Sequence, residues 1–368
     1  MEVGEPMQPV RHTHIRCRGN TLLYFGGCDY HRLTGHPRIL AAIATGLRRY
    51  GLSMAASRCT TGNHKIYGQL EAQLARFFAA ETAILTNSGY VTNLMLAQAL
   101  QGEFSHVLLD ERAHVSLLDA AVLLQCPVWR FAHRHVAGLT AALRRCGRRA
   151  RPLVLTDGLY AGDGSIAPLA GYLKQLPQTG LLVVDDAHGA GTVGATGRGS
   201  LEAERVPPDR IVQTITLSKA FGVYGGAILA PRRVADKVRQ SHLFVGSTPL
   251  PLPLAHAAIT ALRLLANDRR RLLRLAANTE RVKARLRANG FPHCEFPGPV
   301  VPVQLRSLQA NAQLKAALIA RKILPPFLKY PGSPARGYFR FVISSAHTKG
   351  QLDQLTETLI PFSPLTVR

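Results

Sequence analysis

Thr214-Ile-Thr-Leu-Ser-Lys-Ala-Phe-Gly-Val-Tyr-Gly-Gly226 sets one lysine, Lys219, just after the hydroxyls of Thr216 and Ser218 and just before a glycine-rich turn. The apolar run Ile211-Val212 leads in and Ala227-Ile-Leu-Ala230 leads out, so the segment reads as strand, tight loop, strand. A lysine held partly out of water on such a loop keeps an amine available for a Schiff base. The hydroxyls of Thr216 and Ser218, with nearby backbone N–H groups, can hold a phosphate. A surface lysine beside a hairpin fits the same residues, and the rest of the chain has to decide.

Outward from this segment, apolar runs alternate with helical patterns. Strands are predicted at Thr82–Thr86, 107–109, 152–156, Leu181–Asp185, Ile211–Thr216 and 227–230, with helices between them. Continuous apolar strands between helices predict an α/β fold, a mostly parallel central sheet with flanking helices. Ligands bind beyond the carboxyl ends of such strands, where Ser88, Asp157, Asp185 and Thr216 fall.

Residues 1–35 read as an arm with one strand at 21–25. A helix from Pro37 is predicted to bury Ile39, Ile43 and Leu47. Residues 51–62 form a stretch of small and hydroxyl side chains. The helix after it carries Ile66, Leu70, Leu74 and Phe77 at helical spacing, which argues for an ordered, functional loop. After Ser247-Thr-Pro-Leu-Pro-Leu-Pro253, one long helical region is expected over 254–289, with Ile259, Leu262 and Leu265 as its stripe. Strands at 301–305 and 338–344, a helix ending at Arg321 and a final helix from Gly350 complete a smaller C-terminal α+β domain. The expected organisation is an arm over 1–40, a large α/β domain over 41–245, and a crossover with a small domain over 246–368.

Composition narrows the class. The 368 residues are 46% hydrophobic, ordinary for a globular chain with a sizeable core. No apolar run reaches the roughly 18 residues that span a membrane. Residues 1–18 are polar and lack an apolar signal core, which disfavours export. Six cysteines without metal-ligand spacing fit the reduced thiols of a cytoplasmic protein. The net charge of +23 and the clusters Arg144-Arg145, Arg148-Arg149 and Arg269-Arg270-Arg271 raise the question of nucleic acid. No stacking-aromatic pattern, zinc-finger spacing or basic arm accompanies them. A solvated arginine surface, or steering of an anionic substrate or an acidic carrier protein, remains.

Three further segments carry chemistry. Asn87-Ser88-Gly89-Tyr90 follows a strand and opens a helix, an arrangement suited to an anion. In Val184-Asp185-Asp186-Ala-His188-Gly189 an apolar strand delivers a carboxylate, with a histidine three residues on. Such a carboxylate facing a ring nitrogen keeps it protonated; a Walker-B-like or structural acidic pair fits the same residues, although no phosphate-loop lysine motif precedes it. In Asp110-Glu-Arg-Ala-His114 the histidine suits a stacking ring, a base or a core position.

Taken in order, Ser88-Gly89-Tyr90, His114, Asp185-Asp-Ala-His188-Gly189 and Thr216-Leu-Ser-Lys219 resemble the α-oxoamine synthases, fold-type I enzymes that use pyridoxal 5′-phosphate (PLP). The nearest look is to the 8-amino-7-oxononanoate synthases, from Leu23 to the C-terminus. The resemblance implies that Lys219 forms the Schiff base with PLP and moves the substrate proton. It implies that Asp185 pairs with the pyridine nitrogen, His188 meets the phenolic oxygen and His114 stacks on the ring. Backbone groups at Gly89 and Tyr90, with Ser88 and Thr216, would hold the phosphate, and Ser247-Thr248 would reach the phosphate of a neighbouring subunit in a homodimer. Arg340 would bind the amino-acid carboxylate, for which a guanidinium fork is suited. The implied reaction joins an amino acid to an acyl thioester, on coenzyme A or an acyl carrier protein, with loss of carbon dioxide.

Departures fall at the substrate edges. Cys28-Asp-Tyr30 stands where the family commonly has Asn-Asp-Tyr, Ala161 replaces a serine, residues 53–58 are less glycine-rich, and Tyr67 replaces a histidine. They predict a substrate pair other than that of biotin synthesis, with Cys28 and Tyr67 at the substrate. A fold-type I aminotransferase or another PLP enzyme is the alternative. A basic nucleic-acid binder on a PLP fold is the non-enzymatic one, disfavoured by the intact Lys219, Asp185 and His188.

Overall fold

The computed structural model describes residues 4–329 and 334–363. The outer ends of the expected arm (1–3) and small domain (364–368), and residues 330–333, lie outside the described residues. The chain divides into two compact units. One comprises Leu33–Tyr160 and Ile166–Arg269, the other Met1–Arg32, Ala161–Ser165 and Arg270–Arg368.

The larger unit is built on a seven-stranded sheet. Its spatial order is Thr82–Thr86, Gly226–Ala230, Ile211–Thr216, Leu181–Asp185, Pro152–Asp157, His106–Asp110 and Val128–Phe131. Gly226–Ala230 runs antiparallel to both of its neighbours, and the remaining pairs are parallel. Successive residues of the central strands serve opposite faces. Leu109, Leu155 and Val183 enter one apolar cluster, while Leu108, Val154 and Leu182 enter the other. Each such side chain contributes about 1.5–3 kcal/mol when fully buried, so the sheet is held from both sides.

Parallel pairing puts Asp157 beside Asp185, and Asp185 beside Thr214. The polar groups therefore collect at one end of the sheet. The strand Val128–Phe131 was not anticipated. It is a partly exposed edge strand interrupted by Arg130, without the continuous apolar run of a central strand.

Helix Pro37–Tyr50 buries Ile39, Ala42 and Gly46, while Leu47 is 51% exposed, so its inner face is rotated from the expected Ile39–Ile43–Leu47 stripe. The cause is close approach to helix Leu252–Asn267: a Cβ on Gly46 would lie 2.8 Å from the Pro253 Cα. The helical region expected over 254–289 is two helices, Leu252–Asn267 and Arg269–Arg287, broken at Asp268.

The smaller unit contains two antiparallel sheets. Met7–Arg11, His14–Cys17 and Asn20–Leu23 form one, where a single strand was expected. Val300–Val303, Tyr338–Val342 and Phe327–Leu328 form the other. Its core joins Leu23 and Phe25 to Val282, Leu286, Phe339 and Phe341. No helix among the described residues is long and apolar enough to cross a membrane.

Candidate active site

Lys219 lies on the loop between two fully buried strands. The loop closes through Leu217 N–H to the Gly225 carbonyl (2.9 Å), Val223 N–H to the Leu217 carbonyl (2.9 Å) and Gly222 N–H to the Lys219 carbonyl (3.0 Å). Gly222 has φ 64°, and a Cβ there would lie 2.6 Å from the Leu33 backbone, so the turn requires glycine. The Lys219 Nζ sits 2.8 Å from His188 Nε2.

Asp185 ends its strand buried, with each carboxylate oxygen occupied. Oδ1 accepts from the Ala187 N–H (3.0 Å), and Oδ2 accepts from Asn93 Nδ2 (2.6 Å) and the Ser116 hydroxyl (3.5 Å). Asn93 in turn accepts from the Thr214 hydroxyl at 2.7 Å and donates to Ser116 Oγ at 2.9 Å. A carboxylate held by the Asn93 and Ala187 donors at the carboxyl end of a sheet, with the Ser116 hydroxyl at 3.5 Å, can present charge in one direction. Next to it, Asp186 accepts from Ser200 N–H and Gln213 Nε2, each at 2.8 Å, yet burial pushes its pKa up to about 7.

His114 caps helix Val115–Leu123, its Nδ1 accepting from Ser116 N–H (3.2 Å) and lying 2.7 Å from Ser116 Oγ. Burial, and to a lesser extent the Lys219 charge, hold its pKa below the ordinary value, with Asp185 opposing. The His114 N–H donates to Asp157 Oδ1 at 3.0 Å. Burial first, then the Asp185 charge, raises the Asp157 carboxyl well above the usual carboxylate range.

Ser88 caps helix Gly89–Ala99, its Oγ accepting from Val91 N–H at 3.3 Å. The absence of a side chain at Gly89 brings this helix start against the lysine loop, since a Cβ would lie 2.8 Å from Thr216 Cβ. Thr216 Oγ1 is 2.7 Å from Ser218 Oγ. Tyr90 presents its ring edge to His114, centroids 6.2 Å apart, and its hydroxyl donates to Asp119. Lys219, His188, Asp185, His114, Ser88, Gly89, Tyr90 and Thr216 thus all belong to the larger unit, at strand ends or on the loops that follow them.

Asn87 Nδ2 donates to the Thr248 carbonyl at 2.8 Å, and Ser247 Oγ donates to the Leu243 carbonyl at 2.5 Å. Tyr67 is 1% exposed, and its hydroxyl donates to the Leu250 carbonyl at 2.7 Å. In the smaller unit, Arg340 Nη2 lies 3.9 Å from Cys28 Sγ. Its charge is felt by Tyr24, Tyr30 and Tyr338, and no carboxylate pairs with it among the described residues.

The Aminotransferase class I and II family pattern matches residues 21–359. The 8-amino-7-oxononanoate synthase of Thioalkalivibrio sulfidiphilus is 33% identical over 345 residues, 93% of this chain and 88% of that one. The 8-amino-7-oxononanoate synthase of Methylorubrum extorquens is 37% identical over 354 residues, 95% of this chain and 88% of its own. The chain belongs to the α-oxoamine synthase family. Among solved α-oxoamine synthases, a serine palmitoyltransferase from S. paucimobilis with a bound PLP–myriocin aldimine matches with TM-score 0.89 and 26% identity. It covers 96% of this chain and 90% of that one.

PLP is the cofactor of this α-oxoamine synthase family, and the residues present fit it. The lysine amine is paired with an imidazole, the buried carboxylate is oriented by Asn93, and Gly89 lets the helix N-terminus approach the Thr216 hydroxyl closely. These match, respectively, an aldehyde, a pyridine nitrogen and a phosphate.

Asn93, Ser116 and Arg58 were not among the expected site residues. Asn93 is a buried polar residue in a mostly apolar helix, which is the signal that marks it. Arg58 anchors the 51–62 loop. It forks onto Glu71 (2.5 and 3.0 Å), whose Oε1 accepts from Leu85 N–H at 3.0 Å, and it lies over the Tyr67 ring at 5.1 Å.

Proposed function

We propose that this protein condenses an amino acid with an acyl thioester, carried on coenzyme A or on an acyl carrier protein. Thiol and carbon dioxide leave, and an α-amino ketone is formed. The observation that carries this reading is the Lys219–His188 pair at 2.8 Å beside the oriented Asp185 carboxylate, in a chain of the α-oxoamine synthase family.

PLP, when bound, supplies an electron sink for the carbanion at the amino acid's α-carbon. Asp185 would hold the proton on the ring nitrogen, its own orientation kept by Asn93 and the Ala187 N–H. His114 would lie against the ring face. Ser88, the Gly89 and Tyr90 backbone and the Thr216 hydroxyl would hold the phosphate. The Lys219 Nζ would take the α-proton and return a proton to that carbon once the new carbon–carbon bond has formed and carbon dioxide has left. His188 Nε2 would keep that amine aimed and meet the phenolic oxygen. Arg340, which has no carboxylate partner among the described residues, would bind the substrate carboxylate. Cys28 beside it would set which amino acid fits, and Tyr67 would act on the substrate edge through the Leu250 backbone it holds.

The protein is read as a cytoplasmic homodimer, Ser247 and Thr248 reaching a neighbouring subunit's phosphate. The exposed Leu40, Leu47, Leu52 and Met54 support such an interface.

A panel of acyl-coenzyme A donors and amino acids, followed with a thiol reagent and by carbon dioxide release, tests this. Thiol and carbon dioxide in equal amounts are the expected result. A keto acid formed without thiol for every donor would identify an aminotransferase instead.

A further inference from the structure

Asp157 has no part in the chemistry above, yet it sits among the groups that do. It ends the strand Pro152–Asp157 in parallel register with Asp185, it is 6% exposed, and its Oδ1 accepts the backbone N–H of His114 at 3.0 Å. His114 is held at two points. Ser116 meets the ring, and Asp157 fixes the backbone from which the ring departs. The segment between strand His106–Asp110 and helix Val115–Leu123 turns at this point, so the Asp157 bond sets where the capping residue stands.

We propose that Asp157 is a positioning residue for the cofactor, acting as the hydrogen-bond acceptor that fixes His114 against the ring face. This rests on the placement of His114 proposed above. What His114 needs from Asp157 is an acceptor oxygen for its backbone N–H. The groups facing Asp157 are Asp185, Asp110, Lys219 and the His114 N–H. Burial and the neighbouring carboxylates raise its carboxyl well above the usual range, and an amide in its place keeps an acceptor oxygen for the His114 N–H.

The test uses Asp157→Asn, Asp157→Ala, His114→Ala and the Asp157→Ala/His114→Ala double variant. The readouts are the affinity of the apo-protein for PLP, the pH titration of bound-PLP absorbance, and urea unfolding of the apo-protein. Asp157→Ala is expected to weaken PLP binding about ten- to hundredfold, the usual consequence of a lost acceptor at a buried donor. Asp157→Asn is expected to rescue the affinity and leave the absorbance titration where it is. The double variant is expected to bind no more weakly than His114→Ala alone.

Wild-type affinity in a folded Asp157→Ala protein overturns the proposal. So does a double variant in which the two losses multiply, or a shifted absorbance titration in Asp157→Asn. Should His114→Ala bind PLP as the wild type does, the placement of His114 fails. A loss in Asp157→Ala alongside that result would not pass through His114, and overturns the positioning role as well.

Discussion

Replacing Asn93 with alanine tests whether the Asp185 carboxylate is oriented or merely buried. Asn93 Nδ2 makes the shortest contact to that carboxylate, 2.6 Å, while the Ser116 hydroxyl stands at 3.5 Å. A hydrogen bond to a charged group contributes about 1.5–3 kcal/mol. The same change leaves the buried Thr214 hydroxyl without its acceptor, which costs about 1 kcal/mol more. Asn93→Ala should therefore lower the unfolding free energy of the apo-protein by about 3 kcal/mol in urea. It should also weaken PLP binding about ten- to hundredfold, at roughly 1.4 kcal/mol per decade. Asn93→Asp gives a sharper contrast. A second carboxylate against Asp185 must share a proton with it, so its PLP affinity should fall further as the pH rises. Asn93→Ala with wild-type PLP affinity and an unfolding free energy within about 0.5 kcal/mol of wild type would refute the oriented-carboxylate reasoning.

Arg340→Lys keeps the charge but loses the guanidinium fork, and should raise the KM for the amino acid about tenfold or more with a smaller effect on kcat, measured by steady-state kinetics. Arg58→Ala strips Glu71 of its partner in a partly buried pair and should cost about 2 kcal/mol in thermal or urea unfolding, with only partial recovery in Arg58→Lys. His347 is held neutral, its Nδ1 accepting from Ser344 N–H at 3.0 Å and its ring stacked on Phe25, with burial lowering its pKa to about 3. The unfolded chain binds that proton below pH ~6.5 and the folded chain does not, so stability is complete above that value and falls as the pH drops. Urea titrations should show about 2 kcal/mol of this loss between pH 7 and 5, and a flatter profile in His347→Gln.

The central strands were legible because each is a short run rich in apolar and β-branched residues with a polar residue at its end. Thr82–Thr86, Leu181–Asp185 and Ile211–Thr216 fall where their residues predict. What failed to show was set by tertiary contact. Nothing local marks Gly46 as the point where a helix meets Pro253, and that approach turns Leu47 outward. Val128–Phe131 and the strands Met7–Arg11 and His14–Cys17 carry exposed arginines or a proline and lack a strand's apolar signature. Lys219, Asp185 and His188 stand out because each follows an apolar strand within a short motif. Asn93 and Ser116 belong to other segments, and their bonds to Asp185 exist only once the sheet brings those segments together.

The proposed function stands or falls with Lys219 as the amine that carries the cofactor. Borohydride reduction of the PLP-loaded protein, followed by peptide mapping with mass spectrometry, measures this directly. The reduced cofactor is expected on the peptide containing Lys219, with no labelled peptide from Lys219→Ala. Label on another lysine, such as the buried Lys283, would contradict it, as would a wild-type protein that takes up PLP and yields no labelled lysine.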